Sequence, residues 1–300
     1  MAEISMNRLV RACEVACDKI YPRKDYKRQF KKGPFHCVSG VESAEFQRLA
    51  DQDNVRKYGL AYEHDGGNVS ICGDNTEVHA GMKGYVAIVL MDQLLKLGLD
   101  PLCGPVYHWV NFMVVFPNGD MKMVDHALFQ RCPETKRELP IVVVELAFYN
   151  ESHEKLRENV ARIMEVASVK LVIGVSACID DADNLYFKAC IGYAGDIQDF
   201  DPLRGEECFS VPTSTLFQDV PELPSSMGEH FKYPLGAIVK YSKGALYSRD
   251  NKTSRFWSLV HLAQIAESRG NNRMLIHAHK NSHFTESLSA SKYIILSVFC

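Results

Sequence analysis

Residues Asp125 to Asn159 read DHALFQRCPETKRELPIVVVELAFYNESHEKLREN, and the fold turns on this stretch. The apolar run Met121–Val124 leads into Asp125; after a polar link, the β-branched run Ile141–Val144 leads into Glu145. Apolar runs of this length between turn residues predict buried strands. A carboxylate closing such a run would emerge at the rim of a sheet, and two consecutive rims would make one acidic cluster. Oxygen-only clusters of this kind suit Mg²⁺ or Mn²⁺, hard cations that keep several waters for chemistry on a phosphate. Ser152 can cap a helix running to about Ala167, with Leu156, Val160, Ile163 and Met164 as its buried stripe.

Working outward, Val106–Phe116 and Met121–Leu128 form a predicted hairpin around Pro117-Asn118-Gly119-Asp120. Upstream of it, Asp74-Asn75-Thr76-Glu77 has the spacing of a helix cap, and Val78, Met82, Tyr85, Val86, Val89 and Leu94 continue an amphipathic helix up to Gly98. Tyr58–His64 and Asn68–Cys72 pair as strands across Asp65-Gly66-Gly67, a turn that needs positive φ. Downstream, Val169–Ile179 and Leu185–Tyr193 are two more strands around Asp180–Asn184. The first segment, Ile4–Ile20, has near-helical apolar spacing and stops at Pro22, and Lys252–Arg269 reads as a further amphipathic helix. No internal repeat or low-complexity tract interrupts the chain.

The 300 residues, 46% hydrophobic and 24% charged, can bury one large core or two modest ones. Charges at the N-terminus where a signal peptide needs an apolar stretch, and apolar runs too short for a bilayer, predict an intracellular protein, cytoplasmic or nuclear, without membrane insertion. Ten cysteines spread over the whole length, several inside apolar runs as Cys178 and Cys190 are, read as reduced thiols. Cys13 and Cys17 lack a second pair at finger spacing, and His277 and His279 lack an acidic or Cys partner, so neither pair predicts zinc. There is no glycine-rich phosphate loop and no G-x-S-x-G elbow.

A net charge of −3 exerts no global pull on nucleic acid, so any such contact must be local. The local candidate is RKDYKRQFKK, with Arg23, Lys24, Lys27, Arg28, Lys31 and Lys32 around Tyr26 and Phe30. Such a run is usually a solvated face. Its functional readings are a phosphate-tracking patch with an aromatic available to stack on a base, or a nuclear import signal.

The order of elements, a helix with Glu77 and His79 in its first turn, a hairpin with Asp125, a strand with Glu145, then a helix, resembles the core of the PD-(D/E)XK nuclease superfamily. PIVVVELAFYNESHEKLRENV (Pro140 to Val160), followed by VKLVIGVSACI (Val169 to Ile179) and preceded by DNTEVH (Asp74 to His79), is similar to its divergent Uma-type branch and related fungal restriction-endonuclease-like proteins. The resemblance spans about residues 58–195. It implies an α/β restriction-endonuclease-like core, a mixed central sheet flanked by helices, with N- and C-terminal additions. The expected divisions are 1–50 for the helix and basic segment, 51–200 for the core and 201–300 for an extension packed on it.

The resemblance also implies hydrolysis of nucleic acid phosphodiesters, with DNA the expected substrate and Mg²⁺ or Mn²⁺ the cofactor. Asp125 and Glu145 would hold the metal with the Leu146 carbonyl, and His79 or Glu77 would bind a second ion or a water. The chain departs from the family at two positions: Ala147 stands where the signature lysine belongs, and Val124 replaces the usual proline before the Asp. Lys155, one turn into the following helix, is the expected substitute, with Lys170 a weaker one. Capping and packing account equally well for Glu77 and His79. The alternative reading is an inactive scaffold of the same fold, acting as an interaction or effector protein with a protein partner.

Overall fold

The computed structural model describes residues 35–50, 61–72, 77–101, 104–131, 138–148, 151–179, 185–201 and 208–236, apart from 221–222 and 226, together with Arg11. The chain divides into two compact units, 1–243 and 244–300, and every described residue belongs to the first. The predicted helix at Ile4–Ile20 (Arg11 apart), the basic run from Arg23 to Lys32, Cys13, Cys17, the cap at 74–76, the helix at Lys252–Arg269 and the His277/His279 pair lie outside the described residues.

The chain runs β1 (Phe35–Ser39), α1 (Ser43–Ala50), β2 (Ala61–Asp65), β3 (Asn68–Cys72), α2 (Glu77–Lys96), β4 (Val106–Val115), β5 (Met121–Arg131), β6 (Glu138–Phe148), α3 (His153–Met164), β7 (Leu171–Ile179), β8 (Leu185–Tyr193), β9 (Asp196–Phe200), β10 (Cys208–Pro212), α4 (Thr213–Leu216) and β11 (His230–Pro234). The first nine strands form one mixed sheet in the order β1-β3-β2-β5-β6-β7-β8-β9, with β4 on the other edge of β5; β10 and β11 pair separately. Among the described strands only β6 and β7 run parallel, joined by the crossover through α3. From α2 to β7 the elements follow the helix, three-strand, helix, strand order of a restriction-endonuclease-like core, and the fold is the expected mixed sheet flanked by helices.

Local chemistry explains the elements. Gly66 and Gly67 take φ +54° and +81°, the pair of left-handed residues that a two-residue hairpin demands. Ser152 caps α3, its side chain accepting from the Lys155 backbone N–H at 3.2 Å. Leu156, Val160 and Ile163 are fully buried on Val143, Ala147 and Val172, while Met164 is only partly covered. Gly174 lets α3 approach, because a Cβ there would come within 2.9 Å of Val160 and 2.8 Å of Cys190 Sγ.

The α2 helix departs from its amphipathic expectation. Val86 to Met91 are buried without interruption, since the helix packs on β4, β5 and β6 and also on β11. A helix covered on two sides needs no polar stripe there.

Candidate active site

The sheet forks at β5, and the fork makes the site. One edge of β5 pairs with β4 along its length. The other edge is divided: β2 takes Met121 and Lys122, and β6 takes His126 onward, beginning at the pair His126–Val144. Between these ladders lie Met123, Val124 and Asp125, and across the gap from them β6 carries Glu145 and Leu146.

Backbone groups facing such a gap still need partners. The Leu146 N–H donates to Asp125 Oδ2 at 2.7 Å, and the Leu146 carbonyl lies 3.2 Å from His79 Nε2. Two side chains thus satisfy the backbone where a neighbouring strand is missing. The same His79 nitrogen is 3.6 Å from Asp125 Oδ2. One turn along α2, the Lys83 ammonium sits 2.6 Å from Asp125 Oδ1, and the Lys122 ammonium sits 3.0 Å from Glu145 Oε1. Glu145 Oε2 is buried and has no hydrogen-bond partner among the described residues.

These surroundings drive the two acids apart. Burial alone would raise Asp125, but Lys83 and His79 outweigh it and hold the carboxyl well below the usual range. Burial pushes Glu145 up to about 8 against the pull of Lys122, and the negative charges of Asp125 and Glu151 add to the push. Glu151 is itself raised, chiefly by burial; its carboxylate accepts from the amide of Asn159 on α3.

Asp125 and Glu145 each stand one residue beyond the last β5–β6 pair, His126–Val144, on the gap side, but they lie inside their strands instead of closing them. The β5 strand continues to Arg131 and β6 to Phe148, so both acids are about 95% buried instead of standing at an open rim. His79 joins them. Glu77 opens α2, and its side chain lies outside the described residues.

Lys155 is placed elsewhere. Its ammonium pairs with Glu158 at 3.2 Å on the exposed face of α3, because the first turn that Ser152 caps turns that side chain outward. Lys170 is likewise engaged away from the fork, 3.4 Å from Asp219. The cations at the fork are Lys83 and Lys122, which the sequence reading passed over. Both carried a signal: Lys83 is four residues after His79 and shares its helix face, and Lys122 is a charge within an apolar strand.

A second cluster has the connectivity of a hydrolytic triad. His153 Nδ1 lies 3.1 Å from Ser176 Oγ, and its Nε2 lies 3.1 Å from Asp199 Oδ1. The exposure is inverted, however: Ser176 is wholly buried and its hydroxyl donates to the Lys188 carbonyl at 3.3 Å, while the acid is the open member. No substrate can reach that serine; the cluster ties the start of α3 to β7, β8 and β9.

No model of a known protein family matches the chain, and neither does any curated protein. Among solved structures it is similar to a candidate nuclease of the DUF820 family from Anabaena variabilis, with 12% identity over 68% of this chain and 99% of that one and a TM-score of 0.45. None of the chemistry below rests on that likeness. Among the described residues no helix is long and apolar enough to cross a membrane.

Proposed function

We propose that the fork of the sheet is a divalent-metal-dependent phosphodiesterase site acting on nucleic acid, with DNA as the first substrate to test. The observation that carries this reading is that Asp125 and Glu145 each stand one residue beyond the end of the β5–β6 ladder, each with its own lysine, within the element order of a nuclease core.

The donor set fits a hard cation. Among the described residues no three His, Cys, Asp or Glu side chains are grouped as a metal cage, which disfavours zinc, whose sites use three or four protein ligands. Magnesium is commonly held by one or two carboxylates and otherwise by water and phosphate. The orphaned Glu145 Oε2 beside an ionised Asp125 offers that kind of partial shell. Asp125 and Glu145 would hold the ion, which would act as a Lewis acid and lower the pKa of water. The chain's own contribution is positional: the Leu146 N–H orients Asp125, His79 meets the Leu146 carbonyl, and Lys83 and Lys122 each hold one of the two buried acids in place.

The rival reading, an inactive scaffold that binds a protein partner, draws on the same geometry. Each carboxylate already has an ammonium, and Asp125 has a structural task on the Leu146 backbone. Two measurements separate the readings. Wild type should cleave labelled DNA with Mg²⁺ or Mn²⁺ and gain thermal stability as metal is added, by about 2.7 kcal/mol at a hundredfold excess over Kd. Glu145→Ala should lose both responses. Cleavage unchanged by that substitution, or melts indifferent to metal, would favour the scaffold.

A further inference from the structure

Asn111 lies in the middle of β4 with φ +54°, a left-handed conformation that breaks the strand's regularity. Among non-glycine residues Asn tolerates this region best, yet the conformation still costs on the order of 1 kcal/mol, and inside a strand it needs a reason. The register supplies its location. The pairs Val110–His126 and Phe112–Val124 flank it, so Asn111 stands across β5's outer edge from Asp125. The side chain supplies the reason: Asn111 Oδ1 accepts from the Lys83 ammonium at 3.2 Å, and that same ammonium contacts Asp125 Oδ1 at 2.6 Å.

The two lysines at the fork differ in access. The Lys122 side chain is 8% exposed and pairs with a Glu145 of similar burial. Lys83 is 18% exposed and comes from a helix flanking the opening. Of the two ammonium groups, that of Lys83 is the more open to solvent.

We infer that Lys83 offers its N–H to the phosphate oxygens as negative charge develops, and that Asn111 is its positioning residue. The ammonium remains protonated throughout, so its contribution is electrostatic and no bond to it forms or breaks. The strained backbone turns the amide oxygen toward Lys83 and thereby limits where the ammonium can go. This inference rests on the phosphodiesterase reading above.

The test is a double-mutant cycle in cleavage of a labelled oligonucleotide with Mn²⁺, read as kcat and KM, with thermal melts of every variant. Lys83→Gln should lower kcat by ~100-fold, the usual scale for one preorganised donor. Asn111→Gly removes the amide and relieves the φ strain, so it should lower kcat by about tenfold while leaving the melting temperature unchanged or higher. In the Lys83→Gln background Asn111→Gly should cause no further loss, because its effect passes through the ammonium. Asn111→Asp, which keeps an acceptor and tolerates the same φ, should recover part of the rate. If Lys83→Gln leaves a buried charge that unfolds the protein, Lys83→Arg takes its place in the cycle, since it keeps the charge and moves the donors.

Independent, multiplying losses from the two sites would overturn the role of Asn111, as would a lower melting temperature that accounts for its defect. Lys83 variants that cleave like wild type, in a protein that Glu145→Ala inactivates, would overturn the role of Lys83 and leave the metal site standing. A wild type that cleaves neither DNA nor RNA and shows no metal-dependent melting would overturn the phosphodiesterase reading, and this inference with it.

Discussion

Glu145 holds its proton far more tightly than an exposed glutamate, and that preference is measurable in the stability of the whole protein. Its folded-state pKa is raised from the ordinary 4.5 to about 8, mainly by burial. Between those values the unfolded chain has released the proton and the folded chain has kept it, so the folded state binds more protons and stability falls as pH rises. The group's contribution is intact below about pH 4.5 and lost by about pH 8. Glu145→Gln should flatten that decline, so that the melting temperatures of wild type and variant diverge with increasing pH, measured without divalent metal. Parallel curves would mean that Lys122 keeps the glutamate ionised throughout. Asp125 behaves in the opposite sense. Lys83 and His79 hold it ionised, and its contribution is lost only on acidification below the usual carboxylate range.

At the scale of elements, α3 is held to the sheet by two different means, and each can be broken singly. Toward β7 the contact is close packing over Gly174. A Cβ at Gly174 would meet Cys190 Sγ at 2.8 Å, Val160 at 2.9 Å and Leu156 at 3.1 Å. Gly174→Ala should therefore cost about 1–3 kcal/mol in denaturant unfolding, the range for an overpacked core; an unchanged midpoint would show that α3 can ride outward freely. Toward β2 and β5 the contact is ionic. Arg162 reaches Asp120 at 2.7 Å, Glu63 at 3.2 Å and Asp65 at 3.4 Å, with its guanidinium 4.2 Å above the Phe116 ring. Asp120 is nearly buried and also accepts from the Gly66 N–H, so the arginine staples the hairpin turn to the helix. Because the side chain is partly exposed, Arg162→Ala should cost about 2–3 kcal/mol, somewhat below the figure for removing one partner of a fully buried pair. A loss under about 0.5 kcal/mol, typical of an exposed ion pair, would reduce the staple to a surface contact. Since β2 forms one branch of the fork, the same substitution should also weaken metal-dependent cleavage.

For the molecule as a whole, acids outnumber bases and the formal charge is −3, so affinity for a polyanion has to come from a concentrated patch. The run from Arg23 to Lys32 is the densest such patch in the sequence. If it tracks a phosphate backbone, replacing Lys27, Lys31 and Lys32 with Gln should flatten the dependence of log K on log salt by about 0.9 for each contact removed on duplex DNA. Fluorescence-anisotropy titrations at several salt concentrations check this. Identical slopes would make the run a solvated face or an import signal and move the nucleic-acid contact to the fork itself.

The sequence alone determined the elements from β2 to β8 and their order. Apolar runs with period two or near 3.6, Gly66-Gly67 at the hairpin and Ser152 at the start of α3 are local signals, written by backbone sterics and nearest-neighbour hydrogen bonds, and those elements stand close to where the signals put them; β1, α1, β9, β10, α4 and β11 were not legible in those signals. They also sufficed to single out Asp125 and Glu145, because a charged residue beside an apolar run is conspicuous; His79 stood out only through the resemblance to a nuclease core. What they could not supply was the division of β5 between β2 and β6, because β2 reaches β5 from more than fifty residues away in the chain. That choice alone opens the gap, puts the two acids inside strands, and makes Leu146 look to side chains for its hydrogen bonds. It also selects the cations. Lys155 is near Glu145 in sequence and turns to solvent, whereas Lys83 and Lys122, remote from Glu145 along the chain, arrive beside the acids by way of α2 and β5. A buried charge is compensated by whatever the fold brings within reach, and only tertiary structure decides what that is.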